Sequence, residues 1–164
     1  MKTLYLIRHA KSSWDDFSLD DIDRPLNERG ERDAPRMGKR LKERHVVPDL
    51  MITSSAKRAL STCKKIAKIL DYPKEAIKIE PKLYHASEDQ FLQMVHSINN
   101  NHDTVLLFGH NPGLTDFVNK LTGGSIQNIP TCGVAACSFK IETWNEIGWR
   151  KATLEFFDFP KNKD

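Results

Sequence analysis

The sequence predicts an α/β fold with a mixed, largely parallel sheet and helices on both of its faces. Two observations predict the parallel part. Short apolar runs alternate along the chain with stretches whose apolar residues recur at helical spacing. These runs are apolar at consecutive positions, as expected of strands that are covered on both faces. A third observation predicts an antiparallel hairpin at a sheet edge, because two β-rich runs near the C-terminus flank a turn that contains Asn and Gly.

The elements can be placed in chain order from these patterns. The first helix is expected to have Asp33 as its N-cap and Pro35 in its first turn, and Glu88 and Asp89 are expected to cap a later helix. The helix after the second strand places Ala59, Leu60, Cys63, Ile66, Ala67 and Leu70 on one face. The predicted strands are 4–7, 49–53, 77–80, 104–108, 133–141 and 149–157, and the predicted helices are 33–45, the segment after 53, 89–99 and 112–122.

Composition is consistent with a single domain over residues 1–164, long enough to bury a core. Charged residues make up 29% of the chain and the net charge is only +3, which is too balanced to indicate nucleic-acid binding. No apolar run approaches the length of a membrane span and no signal peptide is evident, so we expect a cytoplasmic protein. The three cysteines, Cys63, Cys132 and Cys137, lack metal-type spacing and are expected to be reduced core thiols.

Three strand ends carry residues suited to binding an anion. Arg8 and His9 follow the first strand, and His110 follows the strand at 104–108. Ser54 follows the second strand, and Arg58 lies in the first turn of the next helix. Because ligands bind outside the carboxyl ends of strands in open α/β sheets, these cationic and imidazole side chains predict an anion site at that edge.

Four sequence blocks in this order resemble the histidine phosphatase superfamily, also called phosphoglycerate mutase-like. They are Arg8-His9-Ala10, the stretch from Leu26 to Ala34 with Gly30, the stretch from Ser54 to Thr62 and the run from Gly109 to Gly113. Together they cover most of residues 2–122, and the likeness is strongest to the short bacterial phosphohistidine phosphatases of the SixA type. This resemblance implies a three-layer α/β/α sandwich.

The resemblance also implies roles for individual residues. His9 would be phosphorylated, Arg8 and Arg58 would bind the phosphate, and His110 would complete the pocket. Ser12 would be a further phosphate ligand, since a donor lies near this place in the similar enzymes. Water would then hydrolyse the phosphorylated histidine. The resemblance implies no metal and no organic cofactor.

The general acid is the least defined part of this expectation. Similar enzymes that cleave phosphate monoesters often carry a Glu after the third strand, and His85 occupies roughly that place here. A structural role for His85 remains open. General acid catalysis commonly contributes about 10²–10⁴-fold, so a site without a strong acid favours substrates whose leaving group departs easily. Phosphoramidates such as phosphohistidine meet that condition.

We therefore predict a metal-independent phosphatase that works through phosphohistidine, on phosphohistidine in proteins. Two alternatives are a phosphatase of small phosphomonoesters and a phosphate-binding module without turnover. A non-enzymatic interaction domain would leave the four blocks unexplained. The expected partners are a phosphorylated protein or a small phosphorylated substrate, with no nucleic acid and no membrane, and the chain is expected to be a monomer or a weak dimer.

Overall fold

The computed structural model describes residues 1–162 as alternating strands and helices followed by a hairpin. The strands are β1 (Lys2–Arg8), β2 (Leu50–Thr53), β3 (Lys78–Ile79), β4 (Thr104–Gly109), β5 (Val134–Phe139) and β6 (Thr153–Asp158). The helices are α1 (Glu28–Glu43), α2 (Lys57–Ile69), α3 (Glu88–His96) and α4 (Gly113–Thr122). The six strands form one sheet in the order β3-β2-β4-β1-β5-β6.

The sheet is mixed, as predicted. Strands β3, β2, β4 and β1 are parallel, with Leu4 opposite Val105 and Met51 opposite Leu106. Strand β5 runs antiparallel to β1, and β6 pairs antiparallel with β5 at the edge of the sheet. The predicted C-terminal hairpin is therefore confirmed.

Helices cover both faces of the sheet and give the three layers that the sequence predicts. On one face, Met37 of α1 and Ile66 of α2 pack against apolar side chains that include Leu106. On the other face, Phe91 of α3 and Phe117 of α4 pack against the opposite side of the same strands, and their rings are stacked 5.4 Å apart. Among the helices of residues 1–162, none combines the length and the apolar character needed to cross a bilayer.

The predicted caps of two helices are wrong. Helix α1 begins at Glu28, where the Asn27 side chain accepts a hydrogen bond from the Gly30 amide at 2.8 Å, and the predicted cap Asp33 lies buried inside the helix. Helix α3 is capped by Ser87, and its side chain and that of Gln90 form a capping box. In both cases a short polar side chain directly before the helix satisfies the first free amides, so the acidic residues further along are not needed as caps.

The strand order determines where the site can form. Strands β2, β4 and β1 are neighbours, so their carboxyl ends lie side by side. The His9 amide donates to the Gly109 carbonyl at 3.3 Å, and the Ser54 amide donates to the Phe108 carbonyl at 3.2 Å. The three strand ends that carry the predicted anion-binding residues are therefore joined by backbone hydrogen bonds.

A close backbone approach fixes the start of α1 against the segment after β1. The Asn27 amide donates to the Lys11 carbonyl at 3.0 Å. A Cβ atom placed on Gly30 would lie 2.2 Å from that same carbonyl oxygen. Only glycine allows this contact, which explains the glycine of the second sequence block.

We expect the substitution Gly30→Ala to lower the free energy of unfolding by about 1–3 kcal/mol, because the new methyl group would overlap a backbone oxygen that cannot move freely. Urea denaturation measures the change. Gly148→Ala is the matched control, since its Cβ would meet only the flexible Lys151 side chain at 3.7 Å. Equal denaturation midpoints for the two variants would contradict the proposed contact.

Candidate active site

His9 lies at the end of β1 with its ring held in one orientation. It is 8% exposed, and its Nδ1 atom is 2.8 Å from the Ala10 carbonyl oxygen. A carbonyl oxygen can only accept a hydrogen bond, so Nδ1 carries the proton. The neutral ring therefore has its free lone pair on Nε2, which is the atom available as a nucleophile.

The surroundings of His9 keep the imidazole neutral. Burial lowers the pKa of His9 to about 4, and the hydrogen bond to Ala10 opposes this shift only in part. The positive charges of Arg58, Arg8 and Arg24 lower this pKa further. A protonated imidazole cannot attack phosphorus, so this environment keeps the nucleophile competent at neutral and mildly acidic pH.

A second imidazole faces the first. The ring centroids of His9 and His110 are 5.0 Å apart, and His110 Nε2 lies 2.6 Å from the Ser54 hydroxyl. Burial lowers the pKa of His110 to about 3, and the neighbouring positive charges act in the same direction. When the Ser54 hydroxyl donates to Nε2, the His110 proton lies on Nδ1, which is buried and has no hydrogen-bond partner among the described residues. An anionic oxygen would satisfy this donor.

Two of the predicted arginines adjoin this pair of imidazoles. Arg8 donates through Nη1 to the Ile129 carbonyl at 3.0 Å, while its buried Nε has no partner within residues 1–162. Arg58 is 6% exposed and donates through both terminal nitrogens to Asp21. Buried guanidinium groups retain their charge, so the site combines a neutral nucleophile with fixed positive charge.

The sequence motifs explain how these side chains are held. The Thr62 hydroxyl accepts from the Ala10 amide at 3.0 Å and donates to the Arg58 carbonyl at 2.7 Å, which ties α2 to the end of β1. The Asn111 amide nitrogen donates to the Ile129 carbonyl at 3.0 Å, the same oxygen that accepts from Arg8. Thr62 of the third block and Asn111 of the fourth block thus help to position the two arginines.

A third arginine, Arg24, was not predicted. It is 7% exposed, and its side chain donates to the Ser13 carbonyl at 3.0 Å and to the Ser12 hydroxyl at 2.6 Å. The guanidinium carbon lies 3.2 Å from the ring centroid of Trp14. The visible contact of Ser12 is therefore with Arg24, and its role as a phosphate ligand stays a prediction.

A carboxylate at the site was also missed. Asp21 belongs to a single 3₁₀ turn, Asp21–Asp23, and its Oδ2 accepts from the Tyr84 hydroxyl and from Arg58 Nη2. Its Oδ1 accepts from Arg24 Nη1 at 3.0 Å. The hydrogen bond from Tyr84, followed by those from Arg24 and Arg58, holds the pKa of Asp21 well below its usual range. The carboxylate is therefore ionised at neutral pH.

His85 lies at the rim of the site. It is exposed, adopts a positive φ of 59°, and stacks on Tyr84 with ring centroids 3.9 Å apart. A cavity of about 400 Å³ is lined by His85, His110 and the residues that begin α3 and α4. The structure thus places His85 beside His110, and its role as a general acid stays a prediction. Within residues 1–162, no three His, Cys, Asp or Glu side chains are grouped as a metal site.

The structure brings the four principal predicted residues together. Arg8, His9, Arg58 and His110 meet at the carboxyl ends of β1 and β4 and at the start of α2. Asp21 and Arg24 could not be predicted, because the segment between Trp14 and Pro25 has no sustained hydrophobic period. The sequence feature that could have indicated a role for Arg24 is its position two residues before the second block, which begins at Leu26.

We expect the His9 imidazole to titrate near pH 4, well below the ordinary histidine pKa of about 6.5. The folded state would bind this proton less tightly than the unfolded chain, so stability should fall as the pH drops from 6.5 through 4. Nitrogen-detected NMR of the imidazoles measures the pKa. The variant His9→Gln assigns the resonance, and a His9 midpoint near 6.5 would contradict the site described above.

Comparison with known proteins gives relatives over most of the chain. The model of the histidine phosphatase superfamily (branch 1) matches residues 4–84. The uncharacterized chloroplastic protein At3g52155 of Arabidopsis thaliana is 33% identical, over 91% of this chain and 75% of its own. A 2,3-bisphosphoglycerate-dependent phosphoglycerate mutase of Bifidobacterium longum is 43% identical, but over only 36% of this chain and 25% of the mutase. The match to this mutase therefore covers only about a third of the chain.

Solved structures share the fold over nearly the whole chain. A putative phosphohistidine phosphatase SixA from Agrobacterium tumefaciens has a TM-score of 0.81 at 24% identity, covering 97% of this chain and 98% of that one. The protein histidine phosphatase SixA complexed with tungstate has a TM-score of 0.82 at 20% identity, covering 96% and 97%. A mycobacterial glucosyl-3-phosphoglycerate phosphatase has a TM-score of 0.66 at 15% identity, covering 94% and 98%.

The ordered sequence blocks, the arrangement of the two histidines and two arginines, and the matching family model agree with one another. The relative from Arabidopsis extends the likeness to the C-terminal half. The chain belongs to the histidine phosphatase superfamily.

Proposed function

We propose that this protein is a phosphatase that transfers a phosphoryl group first to His9 and then to water. The observation that carries the proposal is the state of His9, whose Nε2 lone pair is free and whose ring faces His110 amid three guanidinium charges. Phosphoryl transfer needs an in-line nucleophile and positive charge around the equatorial oxygens, because the transition state is loose and anionic.

In the first step, His9 Nε2 attacks phosphorus and the bond from phosphorus to the leaving atom breaks. The electron pair of that bond departs with the leaving group. Arg8 Nε and His110 Nδ1, the two buried nitrogens without partners among the described residues, would donate to the phosphoryl oxygens. The Nδ1 proton of His9 remains bonded to the Ala10 carbonyl and stabilises the phosphorylated ring.

In the second step, a water oxygen attacks phosphorus and the bond between phosphorus and Nε2 breaks. The electron pair returns to Nε2, which restores the neutral imidazole. One water proton stays on the new phosphate oxygen and the other passes to phosphate or to solvent. The enzyme thus ends each cycle in its starting protonation state, consistent with the lowered pKa of His9.

The acid groups near the site support phosphohistidine as the substrate. The pKa of Asp21 is held well below its usual range, and burial together with Asp21 raises the pKa of Tyr84 above its ordinary value. Neither group is ready to give up a proton near pH 7. An alkoxide leaving group needs such a proton, whereas a phosphorylated imidazole that carries a proton on its other nitrogen leaves as a neutral ring.

The rim of the site supports a phosphorylated protein as the partner. The segment that leads to Asp21 exposes Trp14 and Phe17, which are 61% and 90% accessible, and no further layer of the described chain covers them. An open rim of this kind would admit a side chain presented on another protein. The two SixA structures also have higher TM-scores than the glucosyl-3-phosphoglycerate phosphatase, at 0.81 and 0.82 against 0.66.

We expect brief exposure to a labelled phosphodonor to leave phosphate on His9, because Nε2 is the free nucleophile of the site. Rapid quenching followed by acid and base treatment identifies the linkage, since phosphohistidine survives alkali and is lost in acid. His9→Ala should abolish the label. His45→Asn is the matched control, because His45 is exposed, lies outside the site and has a positive φ of 62° that Asn tolerates. Label on a serine or cysteine would refute the proposal.

We also expect a protein phosphorylated on histidine to be hydrolysed about 10²-fold or more faster, by kcat/KM, than an alkyl phosphomonoester, since neither Asp21 nor Tyr84 can readily supply the proton that the ester's leaving group needs. Parallel assays of phosphate release measure the ratio. An aryl ester with a good leaving group serves as the control, and its rate should fall between the two. A preference for the alkyl ester would favour the phosphomonoesterase alternative instead.

A further inference from the structure

Asp21 accepts hydrogen bonds from the two terminal nitrogens of Arg58, which are the donors that a bound oxyanion would be expected to use. Arg58 Nη1 donates to the Asp21 backbone carbonyl at 2.7 Å, and Nη2 donates to the Asp21 carboxylate at 3.0 Å. Guanidinium groups bind phosphate best through two parallel donors. Both terminal nitrogens of Arg58 already point at residue 21, so a phosphate must share this edge, displace the carboxylate or use the remaining donors.

The carboxylate is held in place by more than Arg58. Arg24 Nη1 donates to Oδ1 at 3.0 Å, and the Tyr84 hydroxyl donates to Oδ2. These contacts come from three separate segments of the chain. Arg24 follows the 3₁₀ turn, Arg58 lies in α2, and Tyr84 lies after β3. Asp21 is thus a fixed negative charge at the mouth of the site.

We propose that Asp21 is a built-in competitor of phosphate for Arg58 that weakens the binding of free oxyanions. The inference rests on the proposed function. It adds discrimination against free oxyanions, which the two histidines and two arginines of the site do not explain. A phosphoryl group bound beside Asp21 faces a like charge, and a like charge at contact distance disfavours binding. Inorganic phosphate, the product, would be released readily, while a protein substrate would gain its affinity from contacts elsewhere.

The negative charge of Asp21 can be separated from its role as a support. The backbone carbonyl of residue 21 accepts from Arg58 whatever the side chain is. Arg58 is also almost fully buried, and its own backbone carbonyl is bonded to Thr62, so its position does not depend on the carboxylate alone. Removal of the charge should therefore free donors of Arg58 without releasing its side chain.

Isothermal titration of the protein with inorganic phosphate tests the inference without turnover. We expect Asp21→Asn to bind phosphate about tenfold more tightly, the lower end of the effect that a charge within about 4–6 Å has on an ionisation equilibrium. Asp21→Ala should act in the same direction. Thermal unfolding confirms that both variants are folded.

Asp23→Asn is the matched control. It removes the same charge from the same 3₁₀ turn, but the Asp23 side chain is exposed and makes no hydrogen bond or ion pair in the part of the chain that the structure describes. We expect its phosphate affinity to stay within about twofold of the parent, as for an exposed charge. If Asp21→Asn and Asp23→Asn gained phosphate affinity equally, the gain would reflect only the change in overall charge, and the inference would be overturned.

Three further outcomes are decisive. Weaker phosphate binding by Asp21→Asn and Asp21→Ala would show that the carboxylate supports the arginines, and the competitor role would be wrong. Failure of the parent protein and of both Asp21 variants to bind phosphate at any accessible concentration would overturn both the inference and the proposed function. If the parent binds phosphate and the Asp21 variants match it, only the inference fails.

Discussion

The pairing of three parallel strand ends is the constraint on which the site depends. Strand β4 lies between β1 and β2, and backbone hydrogen bonds join His9 to Gly109 and Ser54 to Phe108. Residues that are about a hundred positions apart in the chain therefore meet with their ring centroids 5.0 Å apart. A change in the strand order would separate the two imidazoles, even if each strand kept its own sequence and conformation.

Burial at this edge has two opposite consequences. It keeps both imidazoles neutral, which a nucleophile requires, but it also removes water from the guanidinium groups nearby. The protein compensates with acceptors from its own backbone, such as the carbonyls that bind Arg8 and Arg58, and with the carboxylate of Asp21. Because most of these acceptors are neutral, the site keeps a net positive charge that suits an anionic substrate.

The sheet and the meeting of the strand-end residues could be predicted from the sequence because their signals are local and strong. Buried strands appear in the sequence as apolar runs. One such run is followed directly by Arg8 and His9, and another is followed shortly afterwards by His110. The start of α1 was placed too late, because Asp33 looks like a cap although Asn27 makes the actual contact. Asp21 and Arg24 could not be recognised, since their roles depend on contacts with distant residues and the segment around them has no periodic pattern.

The ionised state of Asp21 connects the proposed substrate with the proposed competition. A carboxylate held as an anion by three donors cannot protonate a leaving oxygen, and it also opposes a phosphate bound beside it. Both effects would disfavour small phosphate esters. Their leaving oxygen needs a proton, and the rest of the molecule offers few contacts that could offset the charge repulsion. A phosphohistidine on a protein would need no such proton, because a protonated imidazole leaves unaided, and contacts of the protein surface with the open rim would offset the charge repulsion. On the proposed function, Asp21 would therefore favour phosphohistidine in proteins over small phosphate esters, both through the chemistry of the leaving group and through binding affinity.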